Sequence, residues 1–181
     1  KDAGKLPEGR TYFDYYTRFF IKDKEFKPGR DPYLTGKQAE YIDKRIDAYN
    51  ATIRAIAAKH GFHLVDMCAL LDSLAVRRSH GKPTYQLPPA LSDLDVRFFE
   101  IQPSGRIKCG GLISLDGVHP TACGYALIAN LFLTEMKKHD PTLADASIDY
   151  AAVRRGDPLV TRPPKTLDDI FGALQLLEKH F

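Results

Sequence analysis

The stretch that decides the fold is SLDGVHPTACGYALIAN, residues Ser114–Asn130. Its second half predicts a helix, because apolar residues up to Met136 recur three or four positions apart. Thr121 precedes this run and is a competent N-cap, while Gly117 and Pro120 suit a tight turn before it. The stretch therefore predicts a strand, a short loop and a helix in succession.

Asp116 and His119 in this loop are the candidate catalytic residues. A carboxylate three positions before a His can orient the imidazole ring and stabilise the imidazolium that forms when the ring accepts a proton. Asp116 would then orient the ring, and His119 would act as general base. The same spacing also suits an Asx-turn in which Asp116 only accepts backbone N–H groups. A metal site fits less well, because no second His or carboxylate stands at helical spacing to complete it.

Regular structure is also predicted on the N-terminal side of this loop. Thr35–Lys59 has helical periodicity and is followed by Gly61 at the C-terminal stop position. Phe62–Asp66 is a short apolar run that predicts a buried parallel strand after its crossover helix. Val96–Ile101 and Ile107–Ser114 are strand-like and flank a turn, which predicts a hairpin. These elements together predict an α/β fold.

Composition excludes several classes of protein. The 181 residues carry a net charge of +3, with 44% hydrophobic and 27% charged residues, as in an average soluble globular protein. No apolar stretch approaches the ~20 residues that span a bilayer. The basic residues are dispersed, which argues against nucleic-acid binding. The three Cys have no metal-binding spacing, which favours free thiols. Free thiols in turn favour a reducing, cytoplasmic location, although a signal peptide upstream would remove that inference.

The Asp-Gly-Val-His-Pro-Thr block and the helix after it resemble the last conserved block of the SGNH/GDSL hydrolases. The preceding stretch Tyr49–Asp66, YNATIRAIAAKHGFHLVD, is similar to the helix and strand that come before that block in the same family. The resemblance implies a three-layer α/β/α, flavodoxin-like sheet and hydrolysis of carboxylic esters, often acyl or acetyl groups on lipids or sugars. It also implies that Asp116 and His119 are the triad acid and base, with no metal or organic cofactor.

The family's other motifs are missing from the chain. It contains no Gly-Asp-Ser block for the nucleophile and no Gly-x-Asn-Asp block for the oxyanion hole, and its one Gly-Asp, at Gly156, is followed by Pro. Cys109 and Cys123 have no neighbours that would lower a thiol pKa, and Ser104 is better explained as a turn residue in Pro-Ser-Gly. Ser114 is better placed to support the loop. The simplest interpretation is the C-terminal half of a hydrolase whose first strands and nucleophile lie upstream, so that the isolated chain is inactive.

Residues 1–141 would then be the C-terminal portion of the hydrolase-like domain. Residues 142–181 would be a polar, Pro-rich tail that ends in an amphipathic helix, Thr166–Lys179. The absence of an initiator Met agrees with a start inside a longer product. The expected partners are a small ester substrate, such as a lipid or an acylated sugar, and the upstream half, with no nucleic acid and no membrane span. The alternative interpretation is a non-catalytic interaction or carbohydrate-binding module on the same scaffold.

Overall fold

The computed structural model describes residues 10–17, 26–74, 84–96, 100–101, 107–108, 111–114 and 118–162. The chain divides into two compact units, residues 1–85 and residues 86–181. The described elements are helices together with two short antiparallel strand pairs, so the predicted class is confirmed at the level of a mixed α/β fold. Among the described residues, no helix has the length and apolar character needed to cross a bilayer.

The first unit contains a strand pair and two helices. Strands β1, Tyr15–Thr17, and β2, Tyr33–Thr35, pair antiparallel. Helix α1, Gly36–His60, follows β2 directly, and helix α2, Met67–Leu74, comes after a short connection. The strand pair therefore leads the chain straight into the long helix.

Local signals set both ends of α1. Thr35 and Gln38 form a capping box, in which the Thr35 side chain accepts the N–H of Gln38 and the Gln38 side chain accepts the N–H of Thr35. Gly61 ends the helix in the left-handed conformation, with φ of 66°. The helix predicted over Thr35–Lys59 is confirmed.

The segment Phe62–Asp66 has no regular secondary structure, and Phe62 is 66% exposed. The Phe62 N–H donates back to the carbonyl of Ala57 at 2.9 Å, and the Asp66 carboxylate accepts the N–H of Ala69 at 2.9 Å at the start of α2. The prediction of a buried parallel strand here is wrong. The physical reason is that, within the described parts of the chain, no strand lies beside this segment to take up its backbone hydrogen bonds.

The apolar stripe that predicted α1 is exposed. Its members are spaced alternately four and three residues apart, and each is between 42% and 62% exposed: Ile42, Ile46, Tyr49, Ile53 and Ile56. An apolar stripe at helical spacing usually faces a core. Periodicity therefore predicted the helix correctly, but it did not show whether the stripe would be covered.

In the described residues of the second unit, a 3₁₀ turn at Pro89–Leu91 is followed by a strand pair and then by three α-helices. Strands β3, Glu100–Ile101, and β4, Ile107–Lys108, pair antiparallel. The antiparallel pairing of the predicted hairpin is therefore confirmed, but among the described residues only over two residues of each predicted strand. Helices α3, Ala122–Met136, α4, Tyr150–Gly156, and α5, Pro158–Thr161, follow in chain order.

The core of the second unit surrounds α3. Its most deeply buried apolar side chains are each no more than 2% exposed: Leu91, Leu112, Cys123 and Leu127. Helix α4 packs against α3 and against the 3₁₀ turn Pro89–Leu91. The segment after residue 141, which the sequence suggested as a polar, Pro-rich tail before a terminal helix, contributes α4 and α5 to this unit. The amphipathic helix predicted over Thr166–Lys179 lies outside the described residues.

Candidate active site

The loop that carries His119 is closed at its base by antiparallel pairing. Ile113 and Pro120 form an isolated β-bridge, and the Ser114 N–H donates to the His119 carbonyl at 2.7 Å. On the other side of the bridge, the Thr121 N–H donates to the carbonyl of residue 112 at 2.9 Å. Pro120 occupies the pair that exchanges no hydrogen bonds, where its missing N–H has no cost. The backbone on both sides of the loop is therefore fixed.

Thr121 joins this base to the first turn of α3. Its side chain accepts the N–H of Gly124 at 3.3 Å, as an N-cap does, and its hydroxyl donates to the carbonyl of Gly111 at 3.1 Å. Thr121 is only 4% exposed. The predicted N-cap is confirmed, and it also anchors the helix to the preceding strand-like segment.

Gly124 permits the helix to lie directly on that segment. A Cβ atom at this position would lie 2.3 Å from the Leu112 carbonyl oxygen and 2.8 Å from the Pro120 Cβ. Any side chain would therefore push α3 away from the base of the His119 loop. Gly124 is therefore the residue that allows this close approach.

Asp157 is a second residue that holds the first turn of α3. Its carboxylate accepts the N–H of Cys123 at 2.9 Å and the N–H of Leu159 at 3.0 Å, so it caps α3 and α5 together. Asp157 is 1% exposed. In the sequence, Gly156-Asp157-Pro158 stands out only as a Gly-Asp pair without the Ser of a nucleophile block. Asp before Pro is also an N-cap signature, and that signal would have identified α5 but not its contact with α3.

Cys123 is a buried thiol with no features of a nucleophile. Burial raises the pKa of the Cys123 thiol to about 12, with a smaller contribution from its hydrogen bond to Asp157. The thiolate is therefore scarce at neutral pH. This agrees with the expectation that Cys123 is not catalytic, whereas Cys109 and Ser104 lie outside the described residues.

Arg154 fastens α4 to the N-terminal part of the second unit. Its guanidinium pairs with both carboxylate oxygens of Asp93, at 2.5 and 2.8 Å, and donates to the Ala90 carbonyl at 2.7 Å. The hydrogen bond to Asp93 raises the pKa of Arg154. Bidentate pairing of an Arg with a carboxylate fixes the relative orientation of the two groups as well as neutralising their charges. No local sequence pattern indicates this ion pair, because Arg154 and Asp93 are 61 residues apart.

Of the two predicted catalytic residues, His119 is among the described residues and Asp116 is not. His119 is exposed at the end of the closed loop, next to the bridge at Pro120. Asp116 lies outside the described residues, so its contact with His119 stays a prediction. Ser114, partly buried, stands directly across the loop base from His119.

A cavity of about 520 Å³ lies in the first unit at the start of α1. Two cations and two carboxylates line it: Arg10, Asp14, Lys37 and Glu40. Arg10 and Asp14 form an ion pair at 2.6 Å, and the formal charges of the lining balance.

Comparisons of this chain with protein-family models, with curated proteins and with solved structures found no match.

Proposed function

We propose that this chain is the C-terminal part of an SGNH-type serine hydrolase that cleaves carboxylic esters. The observation that supports the proposal is the closed loop ending at His119, followed by an N-capped helix in close contact through Gly124. This arrangement presents an imidazole at the surface on a fixed base, which a general base acting on a separate nucleophile needs. In this proposal the described elements belong to a three-layer α/β/α domain that is incomplete in this chain.

The proposed reaction uses His119 as base and then as acid. A Ser outside this chain attacks the ester carbonyl carbon while His119 accepts the hydroxyl proton. The imidazolium then donates that proton to the departing alkoxide, which leaves as an alcohol and an acyl-enzyme remains. Water then attacks the acyl carbon while His119 accepts a proton from it. The bond between the acyl carbon and the Ser oxygen breaks as the imidazolium returns that proton to Ser, and the acid is released. Asp116 is the carboxylate that orients the ring in this scheme.

The first experiment uses the isolated chain and a fluorophosphonate probe. We expect labelling no greater than that of the heat-denatured chain, because the described residues offer no activated Ser beside an oxyanion hole. Stoichiometric labelling of the folded chain would contradict the proposal that the nucleophile lies elsewhere.

The second experiment uses the longer product encoded upstream and a short-chain nitrophenyl ester. We expect His119→Ala to lower kcat by roughly 10³-fold or more, since a triad base acts in every step. His139→Ala is the matched control, because His139 is also exposed and its ring contacts Glu135, four residues earlier in the chain. A correctly folded His119→Ala enzyme with unchanged kcat would refute the assignment.

A second candidate function is a non-catalytic interaction or carbohydrate-binding module on a hydrolase-like scaffold. The exposed stripe Ile42–Ile56 on α1 favours it, because extended apolar patches on a surface commonly mark sites of association. The upstream coding sequence separates the two functions. A Gly-Asp-Ser block there supports the hydrolase, and its absence together with inactivity on esters supports the module.

A further inference from the structure

We propose that two copies of this chain associate through the apolar stripe of α1, which forms a short two-stranded coiled coil with the same stripe of the second copy. The stripe consists of five side chains that are each between 42% and 62% exposed: Ile42, Ile46, Tyr49, Ile53 and Ile56. The inference goes beyond the proposed function and does not depend on it, because α1 belongs to the first unit and the His119 loop to the second.

The spacing of the stripe is that of a coiled-coil seam. Its members are separated by four, three, four and three residues, which is the 3.5-residue period that keeps two helices in contact along their length. A helix that packs on the core of its own domain usually presents an apolar face at least ~100° wide, whereas a coiled-coil seam is narrower. At 3.6 residues per turn, the five stripe residues lie within about 80° of one another. The spacing therefore favours a partner helix of the same pattern, and α1 of a second copy supplies one.

The two flanks of the stripe leave access for one partner helix. On one flank, Asp43, which accepts the hydroxyl of Tyr12 at 2.9 Å, and Ala57 are each 7% exposed, so that side of α1 is already covered. On the other flank, Arg45 is exposed, and its guanidinium lies 4.9 Å from the centre of the Tyr41 ring, which is farther round the helix from the stripe. The charge of Arg45 is thus held beside the seam and not in it. Because one flank is covered, the assembly that fits is a two-fold symmetric dimer.

The exposed area of the stripe suffices for a weak dimer. Half-exposed side chains of this size offer roughly 100 Å² each, so a symmetric pair would bury roughly 1,000 Å² from the ten stripe residues. Exposed neighbours such as Ala48 and Thr52 bring the total towards the lower limit of specific interfaces, about 1,200 Å². Interfaces of that size are usually weak. We therefore expect a Kd between about 1 and 100 µM.

The experiment is sedimentation equilibrium of the full chain between about 1 and 300 µM, where the average mass should rise from one chain towards two. Ile46→Glu combined with Ile53→Glu puts two carboxylates per copy into the seam and should weaken association by roughly 100-fold or more. The matched control combines Ala51→Glu with Ala58→Glu. It adds the same charges, also seven residues apart, at exposed positions on the opposite side of α1. Its Kd should change by less than about threefold, because exposed charges at that distance are screened.

A wild-type chain that stays monomeric over the whole range overturns the inference and assigns the stripe to some other partner. Equal weakening by the two double variants also overturns it, because the effect would then come from added charge and not from the stripe. Raising NaCl from about 50 to 500 mM should leave the Kd unchanged or lower it, and strong weakening by salt would contradict an apolar contact. Circular dichroism reports whether each variant folds. If the double variant at the stripe does not fold, Ile53→Glu alone replaces it, with an expected weakening of about tenfold.

Discussion

Gly124→Ala tests whether the contact between α3 and the His119 loop determines the stability of the second unit. The new methyl group would stand 2.3 Å from the Leu112 carbonyl oxygen, whereas ordinary contact begins at 3.4 Å. Something must therefore shift by about 1 Å. The obstacle is backbone, which cannot rotate away as a flexible side chain does.

The cost can be worked out from two contributions. Forcing an extra methyl into a packed contact costs about 1–3 kcal/mol. The Leu112 carbonyl also accepts the N–H of Thr121 at 2.9 Å, and displacing it weakens a bond worth about 0.5–1.5 kcal/mol. Together these predict a loss of about 1.5–4.5 kcal/mol from the free energy of unfolding of the second unit, reduced by up to about 1 kcal/mol because Ala has a higher helix propensity than Gly.

Hydrogen exchange of the α3 amides, followed by mass spectrometry, is the appropriate measurement, because it reports on this unit separately from the first. Urea unfolding followed by circular dichroism gives the supporting value, since the chain has no Trp. Gly156→Ala is the matched control. It changes the same residue type in a helix of the same unit, but no atom lies within 4 Å of its new Cβ. It should be neutral or stabilise by up to about 1 kcal/mol.

Equal protection of α3 in Gly124→Ala and the wild-type chain would refute the close approach. It would mean that α3 does not lie on the Leu112 carbonyl, and the fixed base of the His119 loop would lose its main support. Loss of protection in both Gly variants would instead indicate a general sensitivity of the unit, and the specific contact would again lack support.

Two further predictions concern carboxylates in different units. Asp157→Ala removes the acceptor for the Cys123 N–H and should lower the free energy of unfolding, measured by urea denaturation, by about 2–4 kcal/mol. A loss below about 0.5 kcal/mol would contradict the shared cap. The pKa of Asp66 is lowered from 3.8, first by the N–H of Ala69 and then by Arg54, so its stabilisation is present above the ordinary Asp pKa and is lost as pH falls through the lowered value. Asp66→Asn should therefore reduce the acid sensitivity of the first unit, measured as urea midpoints between about pH 2 and pH 6, and an unchanged pH profile would refute it.

Short-range signals predicted α1 and α3 accurately. Thr35 and Gln38 cap α1 within four residues of sequence, and Thr121 caps α3 in the same way. The bonds that define these ends join neighbours, so the sequence contains all the information they need. The hairpin was predictable for the same reason, since its strands β3 and β4 are joined by a short connection.

Long-range packing was not predictable from the same signals. Phe62–Asp66 has the apolar pattern of a buried strand, but a strand exists only where another strand supplies hydrogen bonds. The link between Asp157 and Cys123 spans 34 residues, and nothing near either residue indicates the other. For the site, the sequence identified the loop and the N-cap at Thr121, but not the hydrogen bond from the Cys123 N–H to Asp157. The predicted pair of Asp116 and His119 remains a prediction, because Asp116 is outside the described residues.

The two anchors of α3 explain how His119 can be exposed and still be accurately placed. The Thr121 hydroxyl donates to the Gly111 carbonyl, which ties the start of the helix to the strand-like segment. The Asp157 carboxylate accepts the N–H of Cys123, two residues further along the helix. His119 is two residues before this doubly held turn, and Val118 beside it is 72% exposed. A general base that serves a nucleophile on another segment needs both properties, because the ring must reach outward while its backbone stays fixed. We therefore expect substitutions at the anchors to alter the position of the ring before they alter its accessibility to solvent.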